Sequence, residues 1–371
     1  MAGKRGEYTT EIKMVYASPT MHGTRFPSKN TLRWTMALVL VCGVGYVGAD
    51  LKGGPYTLDA QQRAAAGAGD QGALDTIQIR DNVWVIFGAG GNVTVHVGED
   101  GVMLVDSGSE PMAEKTLAAV RAITKAPIRM IIATSADAEH VGGNDKVGAA
   151  GVPINPDSFT DEERATVLAH ENVLQRMSVP KNRNEKPFPT GMWPTETFTS
   201  RYRSFYVNDD AVQVIRQLGA VTDGDVMVHF RRADVIATGD IVDLRHFPVI
   251  DAGKGGSIQG ELEALNRLLD LTVPAMPLVL KPGRTLVVPG HGRVSDYGEL
   301  VDYRDMVTTI KDIIEDMVKK GMTLEQVKAA NPTAGYRKRW GTDAGPWTTD
   351  MFVEAIYNGL KQGAKPAGKT N

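Results

Sequence analysis

The stretch Met130-Ile131-Ile132-Ala133-Thr134-Ser135-Ala136-Asp137-Ala138-Glu139-His140-Val141-Gly142-Gly143-Asn144 decides how the rest of the chain is read. Met130 to Ala133 is a short apolar run of the kind that fills a fully buried strand. A polar loop follows, and a glycine pair closes it before the next helix. A strand that empties into a polar, glycine-ended loop is a common place for chemistry, because a rigid element positions a mobile one.

Working upstream, Ile77-Gln78-Ile79, Val83-Trp84-Val85-Ile86-Phe87, Val93-Thr94-Val95-His96-Val97 and Val102-Met103-Leu104-Val105 are short alternating runs. Turn residues separate them, Gly88-Ala89-Gly90-Gly91 and Gly98-Glu99-Asp100-Gly101 among them, which predicts a β-meander. His96 is expected to alternate outward, as a surface or packing residue. Residues 110–124 have the spacing of an amphipathic helix, and Ile128–Ala133 is the strand it leads into. Downstream, Glu162, Glu163, Leu168, Val173 and Leu174 read as a helix carrying His170 in a structural role. Residues 179–200 are irregular and proline-rich, and Phe188 and Trp193 there face either a substrate or an interface. Helices are expected at 257–272, at 296–320, after a threonine cap at Thr323-Leu324-Glu325-Gln326, and at Asp350–Leu360.

The spaced motifs resemble those of the metallo-β-lactamase superfamily. Its metal-binding loop reads His-x-His-x-Asp-His followed by Val/Ala-Gly-Gly-Asn, and Ser135–Asn144 keeps that frame. Further matches are Val105-Asp106-Ser107-Gly108, the turn Gly219-Ala220-Val221-Thr222-Asp223-Gly224-Asp225, Ala237-Thr238-Gly239-Asp240 and Val288-Pro289-Gly290-His291-Gly292. The resemblance covers roughly residues 75–360. It implies an α/β fold, the metallo-β-lactamase αββα sandwich, with a C-terminal helical extension.

It also implies which positions would hold two metal ions. At the first site the three histidine positions carry Ser135, Asp137 and Val221, so that site is degenerate. At the second, Glu139 replaces an aspartate while His140, Asp240 and His291 are retained. Zinc takes imidazole, thiolate or carboxylate, and a serine hydroxyl or a valine does not substitute. The expectation is therefore a scaffold without a bound metal, with His140 and His291 as hydrogen-bonded core residues. The alternative is a single Zn, Mn or Fe ion on His140, His291, Asp240 and Glu139, with Asp240 or Glu139 in the catalytic role. Asp106 either supports the metal loop from behind or caps a turn. A Ser135-centred triad lacks the Gly-x-Ser-x-Gly elbow that would expose its nucleophile.

Residues 1–33 are polar and carry six Lys or Arg against two Glu, and residues 34–49 are uncharged and mostly apolar. Basic residues ahead of an apolar run orient the rest of the chain for export. The run serves as a retained single-pass anchor or, given Val47-Gly48-Ala49, as a cleaved signal; the anchor is the expectation. Either way the main domain is placed in the periplasm. The expected organisation is a cytoplasmic segment 1–33, an anchor 34–49, a linker 50–73, the main domain 74–300 and a helical extension with tail 301–371. A net charge of −3 argues against nucleic-acid partners, and the single cysteine, Cys42, excludes an internal disulfide. The expected function is that of an anchored pseudoenzyme, a structural or assembly subunit of a respiratory, photosynthetic or envelope membrane complex. The alternative is a mononuclear metal-dependent hydrolase of an ester, lactam, lactone or phosphoester.

Overall fold

The computed structural model describes residues 74–154, 163–179, 186–275 and 283–363. The expected N-terminal segment, anchor, linker and C-terminal tail lie outside them. Among the described residues no helix is long and apolar enough to cross a membrane.

The meander forms as the alternation requires. Strands β1 (Asp75–Arg80), β2 (Val83–Ala89), β3 (Gly91–Gly98) and β4 (Gly101–Val105) pair antiparallel in sequence order. Helix α1 (Ala113–Ile123) crosses to β5 (Ile128–Ile132), which pairs parallel to β4. Two short helices follow, α2 (Ala138–Val141) and α3 (Asn144–Ala149). Strands β6 (Thr166–His170) and β7 (Glu196–Phe198) then extend the same sheet in parallel, with helix α4 (Glu171–Ser178) between them. A second sheet has the order β12-β11-β10-β9-β8, from β8 (Tyr202–Val207), β9 (Asp210–Arg216), β10 (Val226–Phe230), β11 (Val235–Ala237) and β12 (Leu286–Val288).

The period of two sorts side chains into layers. Val83, Val85, Phe87, Met103 and Val105 of the first sheet meet Val212, Val214, Val226, Val228 and Phe230 of the second in one buried cluster. The alternate residues Ile86, Val95, Val102 and Leu104 pack outward with Val120 of α1. The outer residues Met227, Ile236 and Val287 of the second sheet meet α5 (Ile258–Leu271), α6 (Tyr297–Lys319), and α9 (Thr349–Gly363) beyond the short α7 (Leu324–Ala329) and α8 (Arg337–Trp340). This is the expected αββα sandwich. The C-terminal helices complete its outer layer: Leu300, Tyr303, Met306, Phe352 and Ile356 share one core with Leu265 and Leu268. Thr323 and Gln326 form the reciprocal cap that their spacing predicts.

Two expectations are corrected. Within the helix expected around Glu162–Leu174, Thr166–His170 is a strand, and the helix begins only at Glu171. The run Thr166-Val167-Leu168-Ala169 is flanked by parallel strands on both sides, and an apolar run of this length has no period that separates a doubly buried strand from a helix. His170 is thus not on the helix but caps it, its Nδ1 accepting from Asn172 N at 3.1 Å. His96 points inward: it is fully buried, its ring 4.7 Å from Phe230 and its nitrogens beside the amides of Asn82 and Asn208. Burial lowers its pKa to about 4 against the opposing Asp210 charge, so it packs as a neutral ring. Phe188 and Trp193 are half-buried; one side of each packs on Ala136, Val141, Val173 and Met177, and Trp193 Nε1 donates to Phe188 O.

Candidate metal centre

The site lies where β5 and β11 end, as a strand-to-loop junction favours. Asp106, the residue after β4, takes a left-handed backbone with φ 63°. That turn swings its carboxylate across to the β5 loop. Its Oδ1 accepts from Thr134 N at 2.7 Å, and its Oδ2 accepts from the Thr134 hydroxyl at 2.8 Å and faces His140 Nδ1 at 2.7 Å. Of the two readings left open for Asp106, it is the support of the loop that the geometry bears out.

His140 sits on α2, a single turn that starts at Asp137, and is fully buried. Gly91 of β3 lies against it; a Cβ there would come within 2.8 Å of the ring. Asp240 follows Gly239, whose φ of 54° and contact with Thr134 leave no room for a side chain. The loop of His291 runs beside it, with Gly290 N donating to Gly239 O at 2.7 Å. Asn92 clamps that loop to β3: its side chain donates to the carbonyls of Pro289 and Gly292, and its backbone N to Gly290 O.

These supports bring one ligand atom each from His140, Asp240 and His291 to within 4.8 Å of one another. Asp240 Oδ1 is 2.9 Å from His140 Nε2 and 3.3 Å from His291 Nε2. Glu139, largely exposed, reaches His291 Nε2 with its Oε2 at 3.2 Å. Although His140 Nε2 and Asp240 Oδ1 are close enough for an ion pair, they lack the alignment of a hydrogen bond, and neither atom has a hydrogen-bond partner among the described residues. Two donors that crowd one point without bonding each other fit a shared ion, since ligands at about 2.0–2.2 Å from zinc stand close to one another. The nitrogen of His140 that faces away is gripped by Asp106, the carboxylate–histidine pairing that fixes a metal-binding imidazole. The residues therefore fit one divalent ion.

The charges agree. Burial disfavours charge on His140, yet Asp240 and Asp106 outweigh it and raise its pKa well above the ordinary value. Burial likewise opposes ionisation of Asp240, but His140, then His291 and Arg245, hold its carboxyl far below the usual range. His291 is lowered, chiefly by burial.

The degenerate positions are brought to the same mouth but do something else. Ser135 is buried, its Oγ accepting from Asp137 N at 3.2 Å. Val221 is buried in the turn after β9, and its carbonyl accepts from Asp251 N. Asp137 Oδ1 binds Lys254 Nζ at 2.8 Å. Sequence reasoning missed Lys254, Asn92 and two buried acids. Asp225 accepts from Thr222 N and Oγ1; burial, against those bonds, raises its pKa to about 7. Glu261 on α5 is wholly buried with no partner for either carboxyl oxygen among the described residues, and burial, then Asp225 and Asp240, push it well up.

No family model and no curated protein matches the chain. Solved structures do. The stereoselective inverting sec-alkylsulfatase from Pseudomonas sp. is similar at TM-score 0.53 and 14% identity, over 81% of this chain and 54% of that one. A double-mutant form of such a sec-alkylsulfatase gives 0.54 over 82% and 55%. A metallo-β-lactamase from Pontibacter korlensis is similar at TM-score 0.47 and 18% identity, over 64% of this chain and 99% of that one. The chain spans little more than half the length of the sulfatase it matches. At such identities the likeness is one of fold alone.

Proposed function

We propose that this metallo-β-lactamase-fold chain is a one-metal hydrolase, with the ion held by His140, Asp240 and His291. The observation that carries the reading is the pair His140 Nε2 and Asp240 Oδ1, 2.9 Å apart without a hydrogen bond, while Asp106 grips the other ring nitrogen. A bound Zn, Mn or Fe(II) ion would supply a water acidified toward neutral pH. Asp106, 2.7 Å from His140 Nδ1, would hold the ring proton on that nitrogen once an ion takes the Nε2 lone pair. Glu139, on the solvent side and next to His291, would be the carboxylate that takes a proton from the attacking water and returns it to the leaving group. The substrates that suit this chemistry are esters, lactams, lactones and phosphoesters. Residues 34–49 would hold the chain at the membrane with this domain in the periplasm.

A second reading, a pseudoenzyme subunit of a membrane complex, is favoured by one observation. The three degenerate positions offer no imidazole, and one of them is committed to an ion pair with Lys254. Elemental analysis separates the two readings. The hydrolase reading expects one ion per chain, lost in His140→Ala and kept in Ser135→Ala. A metal-free chain that purifies only within a membrane assembly would support the pseudoenzyme instead.

A further inference from the structure

The loop after Ile250 is built with more care than a surface connection requires. Asp251 N donates to Val221 O, Asp223 N to Lys254 O, Gly256 N to Asp251 O, and Ser257 N to Gly219 O and Ala220 O. Arg176 Nη2 adds a bond to Lys254 O. Asp251 caps the short turn with its Oδ1 on Lys254 N at 3.0 Å, and Gly255 closes it at φ 83°. All these bonds involve backbone, so the loop is docked on the 219–225 turn independently of the Lys254 side chain. What the docking delivers is an ammonium group. Lys254 Nζ lies 2.8 Å from Asp137 Oδ1 and 3.3 Å from Asp251 Oδ2, all three side chains about a third exposed.

Asp137 is the residue before the helix that carries Glu139 and His140, and Val221 is the residue on which the loop is anchored. Both are positions at which the fold's first metal would have been ligated. A cation is thus present on that side of the mouth, covalently attached. Two carboxylates turned toward one point need a positive charge between them. The ammonium meets that need and leaves no coordination position for an ion.

We propose that Lys254 is the resident cation of the first-site half of the centre: it holds Asp137 and Asp251 together and limits the protein to a single metal ion. The inference rests on the one-metal reading only for the count in the unmodified protein. Burial lowers the proton affinity of Lys254, yet Asp137 and Asp251 raise it above the ordinary lysine value, so the amine stays charged at working pH.

The test is Mn²⁺ binding to the chelator-stripped full chain, followed by calorimetry and by elemental analysis after desalting. Mn²⁺ is chosen because it accepts carboxylate and water ligands. Wild type is expected to bind one equivalent. Lys254→Met is expected to bind one more, at least tenfold tighter than any second ion on wild type, and Lys254→Met/Asp137→Asn is expected to lose it again. Lys254→Arg keeps the cation and is expected to behave as wild type; it also shows that the loop tolerates change, with thermal unfolding as the check on folding. A second tight equivalent on wild type, or no added equivalent on folded Lys254→Met, overturns the proposal. A wild type that binds nothing while Lys254→Met gains one equivalent would instead sink the one-metal reading and leave Lys254 in its role.

Discussion

The two sides of the mouth were laid down by the same fold and have diverged. On one side His140, Asp240 and His291 are each supported from behind, by Asp106, by Gly239 and by the Asn92 clamp. On the other, Ser135 and Val221 are buried as packing and Asp137 is tied to Lys254. The difference teaches that ligand atoms and the groups that hold them in place occur together. Where the supports are kept, donor atoms converge without hydrogen bonds to one another; on the other side Ser135 Oγ and Asp137 Oδ1 each have a protein partner.

The largest expected effect breaks the supported side. His140→Ala removes a ligand and leaves Asp106 and Asp240 facing a void, so metal affinity falls by more than the roughly 10–100-fold that loss of an outer partner costs. Asp106→Asn is expected to cost about that 10–100-fold while leaving the ligands in place. It also lowers stability by about 1–3 kcal/mol, because the Thr134 bonds and the ionic grip on His140 weaken. Metal titration and urea midpoints, measured on the same variants, separate the two effects.

Gly290→Ala sharpens the comparison without touching a ligand. Its Cβ would fall 2.5 Å from Asp240 Oδ1, so the carboxylate must move and affinity should drop about tenfold or more. Calorimetry reads this directly. Smaller again is a pH effect on the stripped protein. Asp225 has a folded pKa raised from 3.8 to about 7, so the folded state binds the extra proton. Its contribution is fully present below pH 3.8 and is lost as pH rises through 7; Glu261, also raised, acts with the same sign. Stability should therefore decline by on the order of a few kcal/mol between pH 4 and 8, and Asp225→Asn should flatten that slope. Smallest of all is Val221→His, which is expected to leave the metal count at one, since the Lys254 ammonium still stands beside Asp137.

Much of this could be read from the chain. The meander, the βα unit and the five spaced motifs each obey a local period or turn rule, so they carry their own signal. His170 was misplaced because Thr166–Ala169 is apolar on both faces, and only the neighbouring strands make it extended. His96 was turned outward for a related reason: pairing with Met103 sets it on the inner face, and pairing is not local. Lys254 was invisible since its partner Asp137 lies 117 residues away, and no spacing rule connects a lysine in a glycine-rich loop to a distant aspartate. Glu261 leaves no mark in the sequence, because helical spacing registers the apolar residues of Ile258–Leu271 and not a carboxyl buried among them. What sequence reasoning gave for the site was the positions of the donors; what it missed was the groups that bond to them.

Anomalous diffraction from crystals soaked in Zn²⁺ or Mn²⁺ tests the central claim most directly. The account predicts one peak, between His140 Nε2, Asp240 and His291 Nε2, and an undisturbed Lys254–Asp137 pair. Two peaks, or a peak beside Asp137 with Lys254 displaced, would contradict it.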